Sequence, residues 1–382
     1  MRQNYGFIQL TGAFVVALTL TSTLFAAEDT AKIKGVMRGN FESIMNLQPY
    51  LIDAERFRDP SNRSTIQKNL DAMTGLQHTF SKSATGQEPG LEAISRLFTD
   101  YLNDTKVSFK AGANGEYLRN QLRTMTGFCL SCHTRVPTDK SFDDMQKRIA
   151  DLNMSSFQRA EFYAATRQFD KALETFDKVI STANMGEPGL IEFGRAVRNI
   201  LSITVRVKQD PKATFYFLEK ISARGDIPEY FQRYISAWKK DAMAWMSERK
   251  QPKSESGASL IARAQRLATT AQKTQLFAAD PTADIGFLRA SNLAHEALQK
   301  EPKGKFRGDA LYLLGTCYDA LKDPLMWALD GLYFESCIRE NPHTAISKKC
   351  YSRYANKIYF GYSGSGGTFV PEDELTKLGE LR

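Results

Sequence analysis

The residues of this chain best suited to act together in chemistry are Cys129, Cys132 and His133, in the run Cys-Leu-Ser-Cys-His. This C-x-x-C-H spacing is the attachment signature of c-type haem. Each of the two thiols can form a thioether with one vinyl group of the porphyrin, and the adjacent imidazole can bind the iron as an axial ligand. The motif predicts one covalent haem c, with Cys129 and Cys132 as thioether residues and His133 as the proximal iron ligand.

Two other interpretations of a C-x-x-C pair have less support. A thioredoxin-like dithiol needs a surrounding βαβ pattern, and a zinc site needs a second ligand pair nearby. No strand-like alternation flanks the motif, and the other cysteines lie far away in the sequence. Covalent haem therefore remains the preferred interpretation.

The first 27 residues predict a secretory signal peptide. An apolar run covers residues 13 to 20, and the small residues Ala26 and Ala27 precede the charged Glu28. The run is too short to cross a bilayer comfortably, so we expect cleavage after Ala26 or Ala27 and no transmembrane anchor in the mature protein. Export predicts a periplasmic protein in an oxidising compartment.

Composition limits the remaining classes. The chain has 382 residues, of which 42% are apolar and 25% charged, so it is neither disordered nor multi-spanning. The formal net charge of +8 is spread along the chain without a Lys/Arg block. This distribution favours an acidic partner over a nucleic acid.

Helical periodicity predicts an all-α fold, with four segments between residues 30 and 135. They open near Thr30, after Asp59-Pro60-Ser61, after Pro89-Gly90 and after Asn114-Gly115, and the first should end near Leu47, before Pro49. Short loops between such segments favour an antiparallel four-helix bundle. We expect this haem domain to cover residues 28 to 140.

A haem motif at the end of the last helix of such a bundle resembles the class II cytochromes, the cytochrome c prime type. The resemblance covers about residues 30 to 137 and implies that the first helix faces the distal side of the iron. Met37 is the first candidate for a distal ligand and Met45 a weaker one, since a thioether is a suitable soft ligand for haem iron. Arg38 follows Met37, whereas family members often have an arginine four residues before the distal position. The alternative is that both methionines fill the core.

The chain behind the motif predicts a tetratricopeptide-like helical repeat domain over residues 150 to 362, followed by a tail, 363 to 382, with a short helix from Pro371. Small and aromatic residues alternate in two segments, 155 to 185 and 310 to 342, in the manner of interlocking helix pairs. Such an array presents a surface for a protein ligand, or else acts as a rigid spacer. Residues 361 to 367 are Gly/Ser-rich and predict an irregular loop.

Three further cysteines, Cys317, Cys337 and Cys350, lie in the C-terminal part. In an oxidising compartment two of them can pair. We favour Cys337 with Cys350, which would join the last two predicted helices of the array, over Cys317 with Cys337.

Three function classes follow. The first is a mono-haem c-type cytochrome that passes single electrons, with the repeat domain docking a redox protein partner. The second is a haem-based gas or redox sensor, or an assembly adaptor, with an open iron site. An enzyme such as a peroxidase is the least favoured, because there is one haem motif and no recognisable acid/base pair beside it.

Overall fold

A computed structural model describes residues 12–84, 89–138, 141–186, 189–248, 254–278, 280–322 and 328–382, with side chains described from residue 31 and outside 82–89. The predicted signal peptide therefore lies partly outside the described residues. The all-α fold is confirmed: helices make up nearly all of the regular structure of the described residues. None of the described helices combines the length and apolarity needed to cross a bilayer.

The chain divides into two compact units, Met1–Thr85 with Phe98–Arg119, and Gly86–Leu97 with Asn120–Arg382. The helices of the first part of the chain are α1 (Gly12–Ile52), α2 (Ala54–Arg58), α3 (Arg63–Ala84), α4 (Pro89–Lys110), α5 (Gly115–Thr124) and α6 (Thr126–His133). Helices α4 and α5 contribute residues to both units, whereas α6 lies wholly in the second.

In the first unit α1 packs against α3. The core contains Leu47, Leu51, Ile66, Leu70, Met73 and Leu102, none of which is more than 1% exposed. A Cβ atom on Gly39 would lie 2.7 Å from the side chain of Leu76, so the absence of a side chain lets α1 and α3 approach closely.

Two local predictions in this unit need correction or refinement. Helix α1 continues through Pro49 to Ile52, whereas the sequence predicted an end near Leu47. Leu47 and Leu51, on either side of the proline, are both buried, so core packing offsets the lost backbone hydrogen bond. The predicted start at Asp59-Pro60-Ser61 is a 3₁₀ turn, Pro60–Asn62, capped by Asp59 and leading into α3.

The second unit continues with α7 (Gln146–Asp151), α8 (Ser156–Ala165), α9 (Phe169–Thr182), α10 (Gly189–Leu201), α11 (Pro211–Ser222), α12 (Glu229–Ser247), α13 (Gly257–Thr274), α14 (Asp284–Lys300), α15 (Arg307–Leu321), α16 (Leu329–Glu340), α17 (Ala345–Gly361) and α18 (Glu372–Leu381). A π-helical turn, Ser202–Val207, extends α10. Sequential helices pack on one another, and their core includes Phe176, Phe193, Phe287, Tyr333 and Phe334.

Beyond α17, the loop predicted over residues 361 to 367 is a small hairpin. Strands β1 (Ser363–Gly364) and β2 (Gly367–Thr368) pair antiparallel. Gly367 has a φ of +107°, a conformation that glycine adopts without steric cost, and this allows the tight reversal. Helix α18 follows Pro371, as predicted.

Candidate functional site

Helix α6 carries the motif, and its geometry places both thiols on one side. Cys129 and Cys132 are three residues apart, so they lie on the same face about one turn from each other. Both side chains are half-buried, and neither belongs to a disulfide. Gly127, Phe128 and Leu130 are buried and hold the helix against the protein, chiefly against α8. The two sulfur atoms are therefore unpaired and held on a fixed helix.

The His133 side chain is buried and has a defined orientation. Its Nδ1 lies 2.6 Å from the carbonyl oxygen of Ala165, the last residue of α8. A carbonyl can only accept, so Nδ1 carries the proton and donates it. In the neutral ring Nε2 is then the atom with the free lone pair. Histidines that bind metals through one nitrogen almost always fix the other in this way.

The protonation states of the motif suit ligation. Burial, with smaller contributions from Arg167 and Arg135, lowers the pKa of His133 to about 3. The ring is therefore neutral near pH 7, and no proton competes for Nε2. Burial, together with the neighbouring Cys132, raises the pKa of the Cys129 thiol to about 12, so this side chain carries S–H. A thiol can add across a vinyl double bond, forming the C–S bond while its hydrogen goes to the adjacent carbon.

Buried polar contacts fix both ends of the motif. At the start of α6, Thr126 Oγ1 donates to Glu161 Oε2 at 3.3 Å. The other carboxylate oxygen of Glu161 accepts from Arg195 Nη2 at 2.6 Å and from Asn199 Nδ2 at 3.4 Å. Burial raises the pKa of Glu161, and Arg195 opposes that rise. These bonds link α6 to α8 and α10.

Just past the end of α6 the backbone is held by a residue distant in sequence. Asn292 Nδ2, on α14, donates to the carbonyl oxygens of Arg135 and Arg206, each at 3.0 Å. Its Oδ1 accepts from Gln209 Nε2 at 2.7 Å. Asn292 is 2% exposed, so the segment following His133 ends in a buried and satisfied polar contact.

Two arginines lie beside Cys132 and suit an acidic group. Arg135 Nη2 is 3.8 Å from Cys132 Sγ. Arg167 contributes charge at Cys132 and His133, its pKa is lowered by burial, and its Nε is buried without a hydrogen-bond partner. Haem carries two propionates, and arginine is the preferred partner for a carboxylate. The oriented histidine, the free thiols and this unpartnered nitrogen therefore fit haem c.

The two candidate distal methionines lie on α1 in the first unit. Met45 is 4% exposed and belongs to the core of that unit, while Met37 is half-exposed. Met45 is therefore as buried as a residue that only packs in the core, although its thioether could also bind iron. Neither position decides ligation, so both assignments stay predictions.

Cys337 and Cys350 lie with their Sγ atoms 2.00 Å apart, a disulfide between α16 and α17. This is the pair that the sequence analysis preferred. Cys317 is a buried free cysteine, and burial raises the pKa of its thiol to about 12. The C-terminal helices are therefore cross-linked well away in sequence from the motif.

Sequence reasoning missed the residues that hold the motif in place. Ala165 acts through its backbone carbonyl, so its side chain carries no signal of the role. Glu161 is the one residue among them whose role the sequence could have indicated. The helical pattern places it on a buried face, and a buried carboxylate needs a hydrogen-bond or ion-pair partner. Arg167 adopts a positive φ of 59° at the turn after α8. An arginine in the sequence does not predict this conformation.

No group of three or more His, Cys, Asp or Glu side chains in the described ranges is arranged to hold a metal ion. A haem iron needs no such cluster, because the porphyrin supplies four nitrogen ligands. Comparisons with protein families, with curated proteins and with solved structures find no match to this chain.

Proposed function

We propose that the protein is a periplasmic mono-haem c-type cytochrome that transfers single electrons. The observation that carries this proposal is the hydrogen bond from His133 Nδ1 to Ala165, because it leaves Nε2 free on the helix that also presents two unpaired thiols. A disulfide, a zinc site or a buried structural histidine would each account for only part of this arrangement.

Haem c would supply one reversible electron, by cycling of its iron between the ferrous and ferric states. The remaining work belongs to the chain. Cys129 and Cys132 hold the porphyrin edge, and His133 supplies a neutral nitrogen ligand whose orientation is set by Ala165. Arg135 and Arg167 offset the propionate charge. Met37, and less favourably Met45, is the proposed source of a distal sulfur ligand.

We further propose that the haem is bound by a four-helix domain of the class II type, and that the helices behind it form a tetratricopeptide-like array. Close interlocking of small and large residues supports the array. A Cβ atom on Gly315 of α15 would lie 2.5 Å from the ring of Phe334 on α16, and Ala160 and Ala172 are fully buried between α8 and α9. Helix pairs that interlock in this way build extended binding surfaces.

The proposed partner of that array is a redox protein with an acidic face. The net charge of +8 would raise the rate of encounter with such a surface, and the effect should weaken with salt. Holding the partner beside the haem increases the effective concentration of the electron donor or acceptor. Stopped-flow reduction at low and high ionic strength would measure this dependence.

The central experiment is production of the full chain in a bacterial periplasm equipped for haem attachment. We expect an intact mass that includes one haem, retained after denaturation. Cys129→Ala with Cys132→Ala should abolish covalent haem, whereas Cys317→Ala, which removes a buried thiol outside the motif, should leave haem content unchanged. Full haem content in the double variant would refute the proposal.

A second experiment tests the ligand. His133→Gly should remove the proximal ligand, and added imidazole should restore the parent spectrum by occupying the vacated space. His78→Gly, at an exposed position of α3, is the control and should leave the haem spectrum unchanged. Met37→Ala should convert a low-spin spectrum with sulfur-ligand character to high-spin. A parent ferrous form that is already high-spin and binds carbon monoxide would instead support the sensor alternative.

A further inference from the structure

The second unit contains a cavity of about 360 Å³ on the reverse side of the motif helix. Gly127, Leu130, Ser131 and Thr134 form part of its wall. These residues follow the spacing of one helix face, and Cys129, Cys132 and His133 fall on the opposite face of α6. The cavity is thus separate from the surface to which we assign the haem. Neither the motif nor the proposed electron transfer uses it.

The wall of the cavity combines apolar surface with one buried cation. Leu130, Leu201, Leu288 and Leu321 contribute the apolar part. Arg206, from the π-helical turn after α10, is only 4% exposed and also lines the space. Its Nη2 donates to Ser291 Oγ at 2.9 Å, but its Nε is buried without a hydrogen-bond partner. The guanidinium carbon of Arg206 also lies 5.3 Å from the centre of the Tyr318 ring. No carboxylate of the described residues forms an ion pair with Arg206, so its charge is available to an anion in the cavity.

The charges around the cavity are not balanced. Arg195 is committed to Glu161 through an ion pair of 2.6 Å. Arg198 and Arg206 remain, and Asp284 is the acidic side chain on the wall that faces them. Burial raises the pKa of Asp284 well above its ordinary value, which favours its neutral form, whereas a guanidinium stays ionised. The cavity therefore carries a positive excess and suits an anion.

The size of the space restricts the ligand. At about 360 Å³ it lies near the lower end of the volumes found for small-molecule sites. A multiply charged anion such as phosphate would gain nothing from the leucines, which favour a ligand with an apolar body.

We propose that this cavity binds a small carboxylic acid with an apolar body, the carboxylate facing Arg206 and Arg198 and the body facing the leucines. The proposal concerns binding alone and stands whether or not haem is attached. The ligand would neutralise the excess charge and cover the apolar wall.

The test is calorimetric titration of the full chain with 4-phenylbutyrate and hexanoate, each compared with its neutral amide, and with inorganic phosphate. We expect at least one carboxylate to bind with a Kd below about 1 mM and its amide to bind about tenfold or more weakly, since a charge-assisted hydrogen bond is lost. Equal binding of the amide, tighter binding of phosphate, or no binding by either carboxylate would overturn the proposal.

Three variants locate the site. Arg206→Gln should weaken carboxylate binding about tenfold or more. Ser202→Leu should block the cavity sterically without removing a charge, so it tests the site even where Arg206→Gln impairs folding. Arg266→Gln, at an exposed arginine of α13 that does not line the cavity, is the matched control. Unchanged affinity in a folded Ser202→Leu protein would show that binding occurs elsewhere.

Discussion

Arg167 permits a sharp test because it combines an unfavourable backbone conformation with an unpartnered nitrogen beside the motif. In the haem-free chain, Arg167→Gly removes the steric strain of a non-glycine residue at φ 59°, which stabilises the folded state by about 1–2 kcal/mol. The glycine also makes the unfolded chain more flexible, which costs about 0.5–1 kcal/mol. The substitution also removes the buried, unsatisfied Nε, and this should stabilise the folded state by about 1 kcal/mol because the side chain is half-buried. We therefore expect the haem-free variant to be more stable than the parent by about 1–2.5 kcal/mol.

The haem-loaded protein should respond with the opposite sign. There the substitution would remove the proposed charge-assisted hydrogen bond to a propionate, worth about 1.5–3 kcal/mol. Because Nε would be satisfied in the loaded parent, only the backbone gain of about 0–1.5 kcal/mol opposes that loss. Loss of a positive charge near the iron also favours the ferric state, so the midpoint potential should fall by tens of millivolts, at about 59 mV for each tenfold change in the equilibrium constant.

Urea unfolding of both forms and a redox titration of the loaded form would measure these effects. His343→Gly is the matched control, because His343 has a φ of 63°, is exposed and lies far from the motif in sequence. It should change both forms by the same small amount and leave the potential unaltered. If Arg167→Gly behaves like His343→Gly in all three measurements, the assignment of Arg167 to a propionate is wrong.

Three further predictions concern stability. Because burial raises the pKa of Asp284, the folded state holds this proton more tightly than the unfolded state does. The free energy of unfolding therefore falls as the pH rises above the unfolded-state pKa of about 4. In urea unfolding, Asp284→Asn should be more stable than the parent by about 1–3 kcal/mol at neutral pH, and the difference should vanish near pH 4. Reduction of the Cys337–Cys350 disulfide, which closes a short loop (sequence separation 13), should cost about 3 kcal/mol, measured by unfolding with and without reductant. Gly315→Ala should cost about 1–3 kcal/mol because its Cβ would meet an aromatic ring at 2.5 Å, whereas Gly379→Ala, which meets nothing within 4 Å, should be neutral or stabilising by about 0.5–1 kcal/mol in thermal melts.

The helices were predictable because their start signals act locally. Asp59 accepts from the backbone of Ser61 at 2.8 Å, and Asn114 accepts from Glu116 at 2.9 Å, in both cases at the predicted boundary. Pro371 likewise precedes α18. A cap depends on the four or five residues that follow it, all of which are visible in the sequence.

Errors arose where packing overrides local preference. Pro49 is a reliable stop signal in isolation, yet the buried leucines around it keep α1 helical. The segment predicted after Asn114-Gly115 divides at Met125 into α5 and α6, and Met125 is fully buried at that break. Nothing in a local pattern distinguishes a helix that bends into the core from one that continues.

The motif could be recognised in the sequence because its chemistry needs particular residue types at fixed spacing. The residues that hold it in place could not be recognised. His133 and Ala165 are 32 residues apart, and Asn292 and Arg135 are 157 apart. Their pairing depends on how α6, α8 and α14 pack, which a periodic pattern does not specify. A backbone acceptor such as Ala165 also leaves no trace in residue type.

These supports bear on whether the helices behind the motif are a spacer. A spacer would contact the motif helix through apolar surface alone and could be replaced without changing the ring of His133. Here the Ala165 carbonyl at the end of α8 accepts a hydrogen bond from Nδ1, and the negative end of the helix dipole favours that N–H. Glu161 of the same helix accepts a hydrogen bond from Thr126. Any displacement of α8 must therefore turn the imidazole or break a buried hydrogen bond. Helix α8 is part of the candidate site, so a partner that bound the proposed helical array would act on a helix that holds the proposed iron ligand.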